Sequence, residues 1–355
     1  MINFKKYNLK KEIEKIKEFR YGCNNFLDWY SYEKIIPQLY NLKDSDKLEA
    51  RIYHGIFATD YEWNYSGALE AKIPVLCTRQ SQVDFLVEHG RSKDKTFATG
   101  ALFPLYKDLK NIKQAEDAEG TIVYPAHSGA STDTTVDWQY YIDRLNELPD
   151  EFKPIHVCLH WRDILKKRHK IFVKNGFKVY CAGHCRDKDF VDNYYEILRH
   201  HKYVSSNCAM SSSLVYAIEF GLPTFVYGKN NDKKTYDTSQ SNLFGKTRDD
   251  YEDYLNKNME IFEKIVPVYP NIYPSDESKK MVDDLFGKGA TSPKEEIKEA
   301  LQKEINRRKI LSILDCIFKI EKDIPKKSSK RAIHKKVTIL SFIKFSYKVK
   351  SKQKK

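Results

Sequence analysis

The 355-residue sequence lacks an apolar run long enough to cross a bilayer, which takes about 18 or more nearly uncharged residues. Residues 1–22 are charged throughout and have no apolar core of the kind found in secretory signals, so we expect no export by that route. Apolar residues still make up 41% of the chain and aromatic residues 13%, which is enough to form a sizeable core.

Cysteine is scarce, and its number is odd. The seven cysteines lie mostly in apolar, strand-like stretches, which predicts reduced and buried thiols of a cytosolic protein. Cys181 and Cys185 flank His184 in the run CAGHC, a grouping that could hold zinc. Because no second pair of ligands follows at the spacing of a zinc finger or ribbon, we expect no metal site.

Acidic residues are nearly missing from the last part of the chain. Residues 323–355 contain twelve Lys or Arg residues and one acidic residue, a net charge of +11, and the preceding residues contribute only +2 of the total +13. A nucleic-acid-binding fold would carry its basic patch on the folded surface. We therefore expect no nucleic-acid partner.

Lysines in this basic segment alternate with aromatic and aliphatic residues, as in VTILSFIKFSYKVK. The pattern suits the surface of an anionic leaflet, where each cation contributes about 1 kcal/mol. We predict a basic amphipathic tail, residues 323–355, that binds anionic lipids of the inner leaflet. A disordered, solubilising end and an RNA-binding tail are the alternatives.

The chain before this tail alternates between strand-like and helix-like stretches. In the first half, the pattern predicts strands at 51–57, 72–78 and 95–102, helices at 9–20, 66–71 and 80–90, and a polar linker at 107–120. In the second half, it predicts strands at 121–124, 155–161, 177–183, 202–208 and 223–228, helices at 136–149, 162–176, 188–201 and 211–221, and a polar loop at 229–250. The fold class is therefore α/β, with two Rossmann-like domains that face a cleft.

Polar side chains follow the strands of the second half, at the sheet edge where α/β proteins bind ligands. His127 and Ser128 follow the first of these strands, and His184 follows the third. His184 could contact a nucleotide base or cap the next helix. His156 and His160, which alternate along one strand, are interpreted as structural residues.

A run of three serines, Ser211, Ser212 and Ser213, begins the predicted helix that ends at Gly221. The free N–H groups of a helix start and its positive dipole end attract anions, and serine hydroxyls beside them can bind a phosphate without a lysine. N-capping by Ser211 or Ser212 is the alternative, and one helix end can serve both purposes.

Two Rossmann-like halves, the turn YPAHS and a late serine turn followed by YAIEFGLP resemble the GT-B glycosyltransferases. Among these, the sequence is similar to bacterial sialyltransferases and Kdo-type transferases, which use CMP-activated ulosonic acids. The resemblance implies that His127 and the serine run hold the donor's nucleotide and phosphate. The first turn reads His-Ser where sialyltransferases have His-Pro, and Glu219 is the one counterpart of the ribose-binding Glu of many UDP-sugar enzymes.

The first domain is expected to bind the acceptor and to supply the base that accepts the proton of its hydroxyl. The stretch RIYHGIFATDYEWNYSG places His54 near a strand end and Asp60 and Glu62 in the loop that follows. We favour Asp60 as the catalytic group, with Glu62 and His54 as alternatives. If the reaction retains configuration, the same carboxylate could be a nucleophile.

These features together predict a metal-independent glycosyltransferase of bacterial surface-polysaccharide assembly, such as capsule or lipopolysaccharide. It would transfer an ulosonic acid from a CMP-activated donor, with no cofactor, to a glycan or glycolipid at the inner face of the plasma membrane. The predicted domains are 1–115 for the acceptor, 119–290 for the donor, a helix at 294–322, and the tail at 323–355. The resemblance implies that the helix at 294–322 returns to the first domain. The alternatives are a UDP-sugar, GDP-sugar or CDP-polyol donor, or a non-catalytic membrane-associated protein that binds a nucleotide or glycan.

Overall fold

The computed structural model describes residues 2–19, 26–43, 48–52, 56, 58, 68–128, 132–229, 233–236, 248–322, 333–339 and 343–349. Its helices are α1 (Leu9–Glu18), α2 (Tyr32–Tyr40), α3 (Gln80–Glu88), α4 (Leu102–Leu109), α5 (Trp138–Asn146), α6 (Trp161–Leu165), α7 (His169–Lys174), α8 (Phe190–Arg199), α9 (Ser212–Phe220), α10 (Arg248–Ile265), α11 (Asp276–Leu285) and α12 (Lys294–Ile317). Its strands are β1 (Arg51–Ile52), β2 (Val75–Cys77), β3 (Thr96–Ala98), β4 (Thr121–Val123), β5 (Thr132–Thr135), β6 (Ile155–Cys158), β7 (Lys178–Tyr180), β8 (Tyr203–Ser206), β9 (Thr224–Val226), β10 (Lys233–Tyr236), β11 (Phe318–Lys322), β12 (Ile333–Ile339) and β13 (Ile343–Val349). The predicted α/β class is confirmed.

A five-stranded parallel sheet with the order β7-β6-β4-β8-β9 forms the second half of the chain. Its strands are short and largely buried, as expected when helices cover both faces of a parallel sheet. From β4 the chain builds outward through β6 and β7, and it then returns to the other side of β4 to form β8 and β9. The edge beyond β4 is therefore the topological switch point, where such sheets bind ligands.

The first half contains a smaller parallel sheet with the order β1-β2-β3. The strands predicted at 72–78 and 95–102 correspond to β2 and β3, and α3 lies between them. Of the strand predicted at 51–57, the described residues include β1 only, and the helix predicted at 66–71 is a turn over residues 68–70. Both differences lie beside residues outside the described part of the chain.

One predicted helix of the second half is divided in two. Residues 162–176 form α6 and α7, separated at Lys167, whose φ of 62° lies in the left-handed region. The backbone N–H of Arg168 donates to the carbonyl of Asp163, a bond that closes the end of α6. The break turns the Arg168 side chain back toward Asp163, a contact that a continuous helix would not make.

The segment at 229–250, predicted as a polar loop, contains a strand. Its residues 233–236 form β10, which pairs antiparallel with β5, the segment directly after the His127 turn. Pairing supplies the backbone hydrogen bonds that these polar residues lack locally. The structure thus connects the predicted loop to the first turn of the second half.

The N-terminal segment and α12 each pack against the opposite half of the chain. The N-terminal segment packs on the five-stranded sheet, where the backbone N–H of Cys181 donates to the Tyr7 hydroxyl at 2.9 Å. At the other end, Ser292 and Ala98 exchange two hydrogen bonds of 2.8 and 3.0 Å just before α12, and α12 then contacts α2. The domain limits given above stay a prediction.

The described parts of the basic C-terminal segment are β12 and β13, which pair antiparallel with each other, and β12 also pairs antiparallel with β11, directly before the segment. The register sets Val337 opposite Phe345 and Ile339 opposite Ile343, so apolar positions meet across the strands. Within the described residues, no helix has the length and apolar composition that crossing a bilayer requires. The membrane-binding role of residues 323–355 stays a prediction.

Candidate functional site

A cavity of about 310 Å³ opens at the carboxyl edge of the five-stranded sheet, beside the switch point at β4. That volume falls at the lower end of the range for small-molecule sites. Residues that follow β4, β6 and β7, together with the start of α9, form one side of the cavity, and they are Tyr124, Pro125, His127, Leu159, His160, Trp161, Cys181, Ala182, Gly183, Ser211, Ser212 and Ser213. The structure therefore brings His127 and all three predicted serines to one cavity.

The N-terminus of α9 supplies the cavity with unpaired hydrogen-bond donors. Ser211 occupies the N-cap position, but its side chain makes no capping hydrogen bond, so the alternative of simple capping by Ser211 is not realised. The first N–H groups of a helix have no partner within it. These N–H groups form the positive end of the α9 dipole, and the serine hydroxyls lie beside them. Such an arrangement is suited to binding a phosphate.

Two histidines that stack on each other line the same cavity as the serine turn. The rings of His127 and His160 lie 4.2 Å apart with an interplanar angle of 19°, and both line the cavity. His160 also occupies the N-cap position of α6, where its Nδ1 accepts from the backbone N–H of Arg162 at 3.4 Å. The sequence interpretation of His160 as a structural residue omitted its position in the cavity.

A buried ion pair holds the turn that presents His127. Arg168 donates to the Asp163 carboxylate at 2.5 Å and to the Ser128 hydroxyl at 2.9 Å. Asp163 and Ser128 are 1% and 0% exposed, and burial raises the pKa of Asp163 while the Arg168 charge opposes that rise. Ser128 lies behind the cavity wall rather than among its lining residues, so its direct contact with a donor stays a prediction.

His184 is packed inside a stack of rings. It lies 4.8 Å from the Phe19 ring and 4.1 Å from the Trp161 ring, and only Trp161 of the three lines the cavity. The Nδ1 atom of His184 accepts from the backbone N–H of Arg186 at 3.1 Å, a bond within the turn before α8, whose N-cap is Asp189, so His184 does not cap that helix. Burial, followed by the nearby arginine charges, lowers the pKa of His184 to about 4. Its role in contacting a nucleotide base stays a prediction.

Gly183, the residue before His184, lines the cavity where the backbone approaches a carboxylate closely. Its φ is 105°, in the left-handed region, and a Cβ placed there would lie 2.9 Å from Oδ2 of Asp187. A side chain at this position would therefore strain the backbone and displace Asp187. This part of the cavity wall therefore requires glycine.

Six further aromatic side chains, called the aromatic wall below, also line the cavity. They come from the first half of the chain and from α8 and α9, and they are Tyr30, Tyr32, Phe103, Phe190, Tyr194 and Tyr216. Phe103 and Tyr216 stack at 5.1 Å, and Phe103 lies 5.9 Å from Tyr194. The described lining residues include no lysine or arginine, so the cavity combines an aromatic wall with neutral donors.

Glu219 does not reach this cavity. Its carboxylate accepts from Lys107 at 2.6 Å and lies 3.5 Å from the Lys288 ammonium, and its side chain is 2% exposed. The pair with Lys107 connects α9 to α4, so Glu219 stabilises helix packing. The suggested counterpart of a ribose-binding Glu is therefore occupied elsewhere.

The cysteines that the structure describes in full are free thiols, and four of the five are buried. Burial raises the pKa of Cys158 to about 12, which keeps this cavity-lining thiol protonated. Within the described residues, no group of three His, Cys, Asp or Glu side chains is arranged to hold a metal ion. The absence of a metal from the reaction stays a prediction.

The predicted catalytic residues His54, Asp60 and Glu62 lie outside the described residues. Their assignment stays a prediction. The residues that the sequence analysis missed are His160 and the aromatic wall. His160 is near the end of a predicted strand, which was a usable signal, but the wall is assembled from distant segments that no local pattern connects.

No family model and no curated protein matches this chain. Among solved structures, it is similar to HepE of Anabaena in complex with UDP and glucose, with 12% identity, a TM-score of 0.30, and coverage of 75% of this chain and 71% of that one. It is also similar to a UDP-N-acetylglucosamine 2-epimerase of Neisseria meningitidis bound to UDP-GlcNAc, with 14% identity, a TM-score of 0.32, and coverage of 66% and 68%. A third likeness, described in its name as a putative UDP-N-acetylglucosamine 2-epimerase of Listeria monocytogenes, has 12% identity, a TM-score of 0.34, and coverage of 76% and 67%. Likenesses this loose do not bear on the ligand or the reaction of this protein.

Proposed function

We propose that this protein is a glycosyltransferase of the GT-B type that binds a nucleotide-activated sugar in the cavity beside β4. The observation that carries the proposal is the meeting of His127 and the α9 N-terminus in one cavity at the switch point of a parallel sheet. Helix starts at such edges bind phosphates. The aromatic wall offers apolar surface for a base or sugar ring.

The same groups would assist departure of the nucleotide. Breaking the bond between the anomeric carbon and the phosphate oxygen leaves negative charge on the phosphate, and donors already in place stabilise that charge. The N–H groups of α9, the serine hydroxyls and His127 would provide these donors. Because they suffice in principle for a monoester leaving group, the proposal requires no metal.

The acceptor hydroxyl would attack the anomeric carbon as the phosphate leaves, and its proton would pass to a base. Asp60 is the proposed base, with Glu62 and His54 as alternatives, because a carboxylate or imidazole within hydrogen-bond reach can perform this transfer. Replacing each of the three by alanine separates them. Loss of turnover with intact nucleotide binding identifies the base, whereas full turnover in all three variants removes this assignment.

For the donor, we propose a CMP-activated ulosonic acid, on the resemblance of the YPAHS and serine turns to sialyltransferases and Kdo-type transferases. A UDP-sugar, a GDP-sugar or a CDP-polyol is the alternative. Release of free nucleotide from a panel of these donors in the presence of a glycan acceptor decides between them. Turnover with a UDP-sugar and none with CMP-sugars would overturn the CMP assignment.

The proposed site of action is the inner face of the plasma membrane, where the basic segment 323–355 would bind anionic lipids and bring the enzyme to glycolipid acceptors. This location accounts for the concentration of positive charge in one segment of an otherwise nearly neutral chain. A non-catalytic protein that binds a nucleotide or glycan at the membrane is the alternative of another class. It would bind nucleotide but release none from any donor.

A charge placed at the α9 N-terminus tests the phosphate site directly. We expect Ser212→Asp to weaken the binding of CMP and UDP at least about tenfold, because a carboxylate there repels the phosphate. The variant should remain as stable as the wild type, since an acidic residue in the first turn of a helix is favourable. Titration calorimetry with both nucleotides and thermal unfolding provide the two measurements.

The matched control is Ser275→Asp, at the N-cap of α11. Ser275 accepts from the backbone N–H of Ser278 at 3.0 Å and lies outside the cavity lining, and aspartate retains this cap. The control should bind nucleotides like the wild type. If Ser212→Asp binds as tightly as Ser275→Asp, the α9 N-terminus is not the phosphate site.

A further inference from the structure

Tyr124 is the first residue after β4, the central strand of the five-stranded sheet. Its backbone N–H donates to the Ser205 carbonyl at 2.8 Å, which continues the pairing of β4 with β8 and fixes the residue at the switch point. The side chain lines the same cavity as His127 and the serine turn. The sequence analysis read this residue only as the end of a strand.

The hydroxyl of Tyr124 is buried without a partner. Tyr124 is 7% exposed, and no described group forms a hydrogen bond with its hydroxyl. Leaving a buried hydroxyl unpaired costs free energy that a phenylalanine at the same position would not lose. A tyrosine that lines a cavity with its hydroxyl unpaired therefore points to a group that enters the cavity.

The hydroxyl of the neighbouring Tyr194, in contrast, already has a hydrogen-bond partner. Tyr194 lies 5.9 Å from the Tyr124 ring, and its hydroxyl donates to the Ser213 carbonyl at 3.3 Å. That bond holds Tyr194 against the start of α9, so Tyr194 stabilises the serine turn. The Tyr124 ring packs near Tyr194, but the Tyr124 hydroxyl has no described hydrogen-bond partner.

The surroundings also decide how this hydroxyl acts. Burial raises the pKa of Tyr124 well above its usual value, so the phenol remains protonated throughout the neutral range and can donate a hydrogen bond. The same cavity contains the N-terminus of α9, which favours an anionic ligand. A protonated tyrosine hydroxyl in such a cavity is a neutral donor for an anion.

We infer that the Tyr124 hydroxyl donates a hydrogen bond to an anionic oxygen of the ligand bound at the α9 N-terminus. The inference rests on the proposed function, which places a phosphate there, and adds a ligand-binding residue to it. Tyr124 would bind the phosphate from the sheet side, while the N–H groups of α9 bind it from the helix side.

The test replaces Tyr124 by phenylalanine, which removes one oxygen atom and retains the ring. A hydrogen bond from a neutral donor to an anion predicts that Tyr124→Phe binds CMP about ten- to a hundredfold more weakly than the wild type. The binding of cytidine, which has no phosphate, should not change. Because the lost hydroxyl was unpaired in the empty protein, the variant should be at least as stable as the wild type.

Tyr195→Phe is the matched control. Tyr195 is 1% exposed, its hydroxyl also lacks a described partner, and it lies on α8 next to Tyr194 but outside the cavity lining. The control should bind CMP like the wild type. Unchanged CMP binding in Tyr124→Phe, or an equal loss for cytidine, would overturn the inference.

Calorimetry with CMP, UDP and inorganic phosphate separates this inference from the proposed function. Wild-type binding of phosphate but of neither nucleotide, weakened in Tyr124→Phe, would support the role of Tyr124 and remove the nucleotide assignment. If the wild type binds the nucleotides and Tyr124→Phe binds them equally well, the nucleotide assignment is supported and the role of Tyr124 is overturned. If the wild type binds none of the three, both are overturned.

Discussion

At the scale of single residues, the site depends on one buried carboxylate and the arginine that neutralises it. Asp163 lies in the first turn of α6, and its partner Arg168 follows the break at Lys167. Arg168 also donates a hydrogen bond to Ser128. This arrangement fixes the turn that carries His127 without placing a cation in the cavity. The turn that carries His127 is thus held in place by an ion pair whose two residues do not line the cavity.

Removing that cation should destabilise the protein strongly. We expect Arg168→Met to lower the free energy of unfolding by about 3 kcal/mol or more at pH 7, because Asp163 would be left buried and unpaired. Lys17→Met, which breaks the exposed pair with Glu14, should cost under about 1 kcal/mol. Urea unfolding measures both, and similar losses in the two variants would contradict this account of Asp163.

At the scale of elements, the N-terminal segment docks on the five-stranded sheet through a cluster of rings. Phe4 stacks on His200 at 4.4 Å and on Tyr180 at 5.0 Å, and it meets the edge of His201 at 5.3 Å. Below it, His156 Nδ1 and His201 Nε2 lie 2.9 Å apart, while His201 Nδ1 donates to the Ile197 carbonyl at 2.7 Å. His201 therefore accepts from His156 through Nε2, which requires the His201 ring to be neutral.

This pairing predicts a loss of stability in mild acid. Burial lowers the pKa of His156 to about 4 and that of His201 to about 3, with the Lys178 charge contributing to both. The unfolded chain takes up these protons near pH 6.5 and the folded protein does not, so the free energy of unfolding falls as the pH drops below that value.

His156→Asn retains a donor to His201 and removes one titrating group. Between pH 6 and pH 5, we expect the stability of this variant to fall by about 1 kcal/mol less than that of the wild type. Urea unfolding at the two pH values measures the difference. Equal falls in the two proteins would indicate that His156 titrates normally in the folded state.

At the scale of the whole molecule, partly buried ion pairs and a shared core join the two halves of the chain. Lys34 of α2 binds Asp192 and Asp189, and the Tyr106 hydroxyl of α4 donates to Asp192 at 2.9 Å. One hydrophobic cluster includes residues of β1, β2 and β3 as well as of β4, β6 and β8. The cavity lies against this joint core, which explains why its walls come from both halves of the chain.

The net charge of +11 in residues 323–355 predicts salt-dependent binding to membranes. At low salt, the full chain should sediment with vesicles that contain phosphatidylserine, and the chain without residues 323–355 should remain in solution. Neutral phosphatidylcholine vesicles provide the control. If the shortened chain sediments equally with the anionic vesicles, another surface binds the lipid.

Much of the second half was predictable because its local signals agree with its packing. The apolar stretches before His127 and before the serine run are β4 and β8, and Gly221, with a φ of 89°, ends α9 as expected. The serine run was predicted to bind a ligand from a general property of helix starts at sheet edges, and it lines a cavity in the structure. The break at Lys167 was not predicted, because the sequence around it contains no signal for a residue in the left-handed region. The conformation is stabilised by the contact of Arg168 with Asp163, which only the folded chain shows.

The sequence by itself determined the α/β class, the parallel order of strands and helices, the basic character of the C-terminal segment and the position of the serine turn. These follow from periodicity, glycine positions and charge, which act over a few residues at a time. Only the tertiary structure decided that His160 joins His127, that Ser128 lies behind the wall and that Glu219 pairs with Lys107. Tyr124 acquires its unpaired hydroxyl in the same way, because burial depends on which distant segments close over a side chain.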